Sequence, residues 1–258
     1  MTNVATQINS AHRGWRWAAL LLAASQLLAP IVITRVYGEF LSAGATNDAA
    51  ITPAGYAFSI WGPITLLVTI TCAAILWRGL GAPWETRLPA EASVVFAGFT
   101  GWLLLAAQDW LWATVAMFAV MAIVLVDIMR LLVRHADELT APAWLRRLAT
   151  VSFGLYLGWS SIAVFVNVAA ALIYGGWSAT ATGWQTAILM AATLTAVGLT
   201  VFLRGSVGYV AAALWALVAA AIGAAQRDAT VLSASSAAAA ALLVVVSAVL
   251  YVANRRTG

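Results

Sequence analysis

Apolar runs of about 20 residues recur along the whole chain, each bounded by charge, proline or glycine, and they decide the fold class before any motif is read. They give eight candidate spans, at 15–36, 56–78, 91–111, 113–134, 148–174, 184–204, 206–226 and 230–253. Of the 258 residues 64% are hydrophobic and only 9% charged, too little polar surface to keep a soluble domain of this size dispersed. The apolar-out, polar-in alternation of a membrane β-barrel is absent. The expected fold class is therefore all-α, a polytopic membrane helical bundle.

Charge supplies the topology. All 13 basic residues are arginine, a usage that hints at a bacterial source. If all eight runs span, Arg13, Arg16, Arg78, Arg87, Arg130, Arg134, Arg146, Arg147, Arg204, Arg255 and Arg256 fall on one side, and only Arg35 and Arg227 on the other. Eleven against two predicts that the rich side, with both termini, is cytoplasmic and that the membrane is the bacterial inner membrane. The first run has the outline of a signal peptide, with arginines before it and "LSAGA" at 41–45 after it. Its core from Trp17 to Ile33 is longer than the usual h-region and its loss would remove the start of the arginine pattern, so it is read as a span.

Two loops are substantial, one around 37–55 on the arginine-poor side and one around 134–147 on the other. Near residue 178 the composition shifts from aromatic-rich to Ala, Val and Leu, which divides the chain into a five-helix part, 1–177, and a three-helix, Ala-rich part, 178–258. A single cysteine, Cys72, and two distant histidines, His12 and His135, offer no metal-ligand set. No phosphate loop, HExxH, paired-acid motif or serine elbow occurs, no charged relay crosses the spans, and a nucleic-acid partner is not expected. The chain does not read as an enzyme.

Of the 13 tryptophans, Trp15, Trp17, Trp77, Trp84, Trp144, Trp177 and Trp184 fall at span ends, where the interfacial belt accounts for them. Trp61, Trp102, Trp110, Trp112, Trp159 and Trp215 lie closer to or within the spans and are candidates for helix packing or a cavity wall. At the α-helical period, Tyr156, Trp159, Ser160, Ala163 and Asn167 form one stripe, and Phe58, Trp61, Thr65, Thr69 and Cys72 another; Trp102 and Asp109 share a face. An amide or an acid in hydrocarbon needs a partner, so Asn167 and Asp109 are expected to face the bundle interior or water. Span 2 enters from the arginine-poor side, and spans 3 and 5 leave toward it. Phe58, Trp61, Asp109 and Asn167 are therefore expected at one depth, as a pocket opening outward under the loop between spans 1 and 2. Packing alone, with Trp61 in a core and Asn167 bonded to a neighbouring helix, is the plainer alternative. Asp127, three residues before Arg130, reads as a local ion pair, and Gly154 with Gly158 as a site of close helix approach.

Three segments together resemble the TspO/MBR family, the tryptophan-rich sensory proteins related to the mitochondrial translocator protein. Pro53, Tyr56, Phe58 and Trp61 are similar to the start of that family's second helix, Asp109-Trp110-Leu111-Trp112 to its third-helix Asn-x-x-Trp, and Tyr156, Trp159 and Asn167 to its fifth-helix pattern. Here Phe58 is followed by Ser59 rather than proline and Trp61 comes three positions after Phe58 rather than four, Asp109 replaces the asparagine, and the proline after the third-helix tryptophan is missing. The resemblance covers roughly 15–175 and leaves the last three spans as additional. It implies a five-helix bundle whose pocket binds tetrapyrroles, such as protoporphyrin IX or haem, and other flat apolar ligands. The site residues so implied, together with the stripes, are Phe58, Trp61, Thr65, Trp102, Asp109, Trp112, Tyr156, Trp159 and Asn167.

Three functions remain open at this point. One is a receptor, sensor or carrier for a porphyrin-like hydrophobic ligand, surrounded by membrane lipids. The second is a non-catalytic subunit or assembly factor, as a homo-oligomer or with a membrane-complex partner, whose Ala-rich spans dock on other helices. The third is a small-solute transporter, for which no second-half repeat is visible.

Overall fold

The structure, a computed structural model, describes residues 2–38 and 48–257. Most of the loop between the first two spans, including "LSAGA" at 41–45, lies outside the described residues. Eight helices are long and apolar enough to cross a membrane, and no strand occurs among the described residues. They are α1 (Thr2–Tyr37), α2 (Trp61–Arg78), α3 (Arg87–Ala106), α4 (Leu111–Arg134), α5 (Ala143–Tyr174), α6 (Thr182–Phe202), α7 (Val207–Gln226) and α8 (Thr230–Thr257). The protein is an all-α, multi-pass integral membrane protein.

From α2 onward short connections make consecutive helices antiparallel. At the arginine-rich end Arg16 pairs with Glu85 at 2.6 Å, Arg87 reaches both Glu91 and Asp127 at 2.6 Å, and Arg130 holds Asp127 at 2.9 Å. The local Asp127–Arg130 pair therefore has a third member, Arg87 from α3. It ties the start of α3 to the end of α4, which hydropathy could not reveal.

Helices α5 and α7 end where expected, at Tyr174 and Gln226, whereas α3 and α6 stop short of 111 and 204, and all four close in the same way. Helices α3, α5, α6 and α7 each close with an N–H bonded back five residues, as Trp110 N–H donates to the Leu105 carbonyl at 3.0 Å and Gly205 N–H to Thr200 at 2.8 Å. The residue before each such donor takes the left-handed conformation: Asp109 (φ 57°), Gly176 (φ 89°), Arg204 (φ 53°) and Asp228 (φ 56°). This is the Schellman closure, which satisfies carbonyls that a helix end would otherwise leave unpaired.

Packing centres on α5 and α7. Helix α7 is the most buried span, and its inner face is Gly208, Tyr209, Ala212, Ala213, Ala216, Ala219, Ala220 and Gly223. A Cβ added at Gly158 would overlap the Tyr209 carbonyl, and one at Gly208 would overlap that of Val151. The two backbones therefore touch, and small residues are what allow it. Ser161 and Tyr209 share a hydroxyl hydrogen bond of 3.3 Å across this seam. Around it, α2 joins α5 through Thr71 and Ser152 at 2.9 Å, and α1 joins α5 where Tyr156 Oη donates to Gln26 Oε1 at 2.7 Å.

Candidate functional site

The chain approaches α2 in an unexpected way. Residues Gly55–Ile60 wind as a 3-10 helix, and α winding begins only at Trp61, two residues before Pro63. A 3-10 turn holds three residues, so side chains at i and i+3 eclipse. Phe58 and Trp61 consequently point to the same side, and the spacing of three, which departs from the family pattern, still delivers both rings to one place. Tyr56 points elsewhere, packing edge-on against Trp215 of α7 at 5.4 Å.

That place is a cavity at the arginine-poor end. It is lined by Pro53, Phe58 and Trp61 on one side, Trp102 of α3 and Phe118 of α4 on another, and Trp159, Ile162, Ala163, Val166 and Asn167 of α5. Trp61 is the hub: its ring centroid lies 4.7 Å from Phe99, 6.0 Å from Trp102, 6.3 Å from Trp159 and 5.5 Å from Tyr156. Phe58 meets Trp159 edge-on at 5.6 Å. Most of these pairs are edge-on or tilted, the arrangements aromatic quadrupoles favour.

Polar groups are few and placed. Trp102 Nε1 donates to Asn167 Oδ1 at 3.2 Å, and Asn167 Nδ2 donates to the Ala163 carbonyl at 2.8 Å, so the amide is held by α3 and by its own helix. The Trp61 indole N–H is buried without an acceptor. Such a donor in a low-dielectric site is unfavourable by about 1–3 kcal/mol until something accepts from it. The free space amounts to ≈ 20 Å³, enough for one water molecule. The aromatic side chains therefore fill the site themselves.

Of the nine expected site residues, the structure brings Phe58, Trp61, Trp102, Trp159 and Asn167 together around this cavity. Tyr156 and Thr65 are buried but do not line it: Tyr156 supports Trp61 from below, and Thr65 turns its hydroxyl back to the Trp61 carbonyl at 2.8 Å. Asp109 and Trp112 are not brought to it. Asp109 was expected to face the bundle interior or water at the depth of the pocket; α3 stops at Ala106, and Asp109 is the exposed left-handed residue of the closing turn, away from the cavity lining. Aspartate is among the few residues that tolerate that conformation. Trp110 and Trp112 are 62% and 60% exposed, placed as interfacial tryptophans rather than as a wall.

Sequence reasoning missed Phe118, Ile162 and Val166. The last two follow Trp159 at i+3 and i+7 and could have been named from the helical period. Phe118 stands among apolar residues of α4 and carries no mark of its own.

It also missed the clamp behind the site. The segment from Ile51 to Ala57 is bonded outward to α6, α7 and the residue that follows α7: Ile51 N–H to Gln185 Oε1 at 3.2 Å, Ala54 N–H to the Ala219 carbonyl at 3.0 Å, Trp215 Nε1 to the Ala57 carbonyl at 3.0 Å and Arg227 to the Thr52 carbonyl at 2.9 Å. Arg227 also reaches Asp48 at 3.5 Å. Helices α6 and α7 thus hold the strip of backbone that carries Pro53 and Phe58.

Comparison with the curated proteins and with the solved structures returns no match. A family model described as TSPO-like protein matches residues 19–249, a stretch that runs through α6 and α7 and almost to the end of α8. The matched region contains the aromatic cavity and the clamp behind it, and on that match the chain belongs to the TSPO-like protein family.

Proposed function

We propose that the chain is a membrane binding protein, acting as receptor, sensor or carrier, for a flat hydrophobic ligand such as a porphyrin, held in the aromatic cavity. The observation that carries this reading is the convergence of Phe58, Trp61, Trp102, Phe118 and Trp159 on one space, with Trp61 also carrying a buried N–H that has no partner. Aromatic rings offer large apolar area with few rotamers to freeze, and one donor aimed at a ligand acceptor sets orientation.

A macrocycle needs several hundred Å³, so binding requires the cavity to open. The backbone of α5 is fixed by α7, and the strip before α2 is bonded to α6 and α7. Room comes from the rings of Phe58 and Trp61 and from α2, which α1 and α5 hold through side chains alone. The lining has no imidazole, thiolate or thioether, so no residue there is an axial ligand for haem iron, and the donor set suits a metal-free macrocycle. In the orientation the arginine count supports, both termini are cytoplasmic, in a bacterial inner membrane, and the cavity opens on the opposite side.

Purified protein titrated with protoporphyrin IX tests this through the absorbance shift of the bound pigment. Trp61→Ala and Trp159→Ala are each expected to weaken binding more than about tenfold, the loss of 1.4 kcal/mol or more of ring contact. Binding unchanged in both variants would place the ligand elsewhere and end this reading.

A further inference from the structure

At the opposite, arginine-rich end a second space lies where the end of α4, the start of α5 and the turn between α6 and α7 meet. Its volume is ≈ 460 Å³, and three arginines line it, Arg146, Arg147 and Arg204, with no carboxylate among the lining residues. Of the other arginines at this end, Arg16, Arg87 and Arg130 are held by acids, and Arg134 lies over the Phe202 ring at 4.6 Å. Among the described residues none of the three lining arginines carries an ion pair. Two donors here, Arg146 Nε and Ser206 Oγ, are buried without a partner. Ser206 is the N-cap residue of α7, yet its hydroxyl makes no capping bond.

Backbone charge adds to the same spot. Helices α5 and α7 both begin here, at Ala143 and Val207, so two positive helix ends face one space. Arg204 is fixed as the left-handed residue of the α6–α7 turn, and its carbonyl accepts from Asn254 Nδ2 at 3.2 Å. The remaining wall is apolar, formed by Leu132, Val133, Leu139, Val151, Leu203 and Val207. Trp144, half exposed at the start of α5, marks the level of the membrane interface.

We propose that this groove is a binding site for an acidic phospholipid, with the headgroup phosphate on Arg146, Arg147, Arg204 and Ser206 and the upper acyl chain along the apolar wall. Guanidinium groups and unpaired donors identify the phosphate, and the apolar wall at interfacial depth identifies its source as a lipid rather than a free anion. The site is independent of the aromatic cavity at the other end.

The test is native mass spectrometry of the full chain with phosphatidylglycerol, phosphatidylcholine and glycerol phosphate. Phosphatidylglycerol is expected to remain bound, and each change of Arg146, Arg147 or Arg204 to Gln to lower its affinity about fivefold, the effect of one interfacial arginine. Arg78→Gln, also at this end but outside the groove, is the control and is expected to bind like the parent. Arg147 is exposed, so Arg147→Gln reports on the site without a folding defect, and thermal unfolding in detergent checks this for the others. Equal retention of phosphatidylcholine, or equal loss in Arg78→Gln, overturns the proposal. Equal occupancy by glycerol phosphate alone overturns the lipid assignment in favour of a soluble phosphate.

Discussion

Helix α5 presents two faces built on opposite principles. One carries Gly154 and Gly158 and is packed backbone to backbone on α7, leaving no room for even a methyl group. The other carries Trp159, Ile162, Ala163, Val166 and Asn167 and meets rings from α2, α3 and α4 with a little free space between them. Small residues give a contact that cannot shift, because backbone atoms have no rotamers. Large aromatic side chains fill a similar gap with parts that can turn. The same helix therefore serves as a fixed post on one side and as a wall of an adaptable site on the other, and any room a ligand needs has to be made on the second side.

The comparison breaks first at the seam. Gly158→Leu drives a side chain into α7 and is expected to cost about 3 kcal/mol or more, read as loss of folded, monodisperse protein in detergent. A fully folded Gly158→Leu protein would show that α7 is not fixed to α5. Next comes the clamp. Arg227→Gln and Trp215→Phe each remove a donor to the strip that carries Pro53 and Phe58, and about 1.4 kcal/mol is expected from each. Hydrogen exchange of amides 51–57 should then quicken about tenfold while α5 amides keep their protection. Unchanged exchange would mean that the strip is held from the cavity side instead.

Smaller effects sharpen the adaptable side. Asn167→Leu leaves the Trp102 N–H without its acceptor and is expected to destabilise by roughly 0.6–1.7 kcal/mol, the range for polar pairs between membrane helices. Thermal unfolding measures it, and a neutral result would assign the amide to ligand contact alone. Asp109→Gly relieves a left-handed aspartate in the α3–α4 turn and is expected to stabilise slightly, by less than about 1 kcal/mol, with ligand binding unchanged. A loss of binding in Asp109→Gly would return that residue to the site.

The eight spans and the two unequal ends were legible because hydropathy and arginine placement are read along one dimension. Phe58, Trp61, Trp159 and Asn167 were legible because helical spacing puts them on the right faces. Asp109 was placed at the pocket because the helical period was carried past Ala106, whereas the chain uses its tolerance of positive φ to stop the helix before it. The 3-10 turn at Gly55–Ile60 was hidden because its residues have the same apolar pattern as the helix that follows. Gln185, Trp215 and Arg227 were out of reach for a different reason. Their partners lie 134 to 175 residues away in sequence, and nothing local marks them. Composition set the last three helices apart from the first five, yet Gln185 of α6, Trp215 of α7 and Arg227 just after it hold the strip that carries Pro53 and Phe58.

The most direct measurement is a structure of the protein with protoporphyrin IX. The account predicts the macrocycle between Trp61 and Trp159, the Phe58 ring rotated away, the Trp61 N–H directed at the ligand, and α5 and α7 in register as before. A macrocycle bound on another surface, with the rings around Trp61 packed as they are in the free protein, would contradict it.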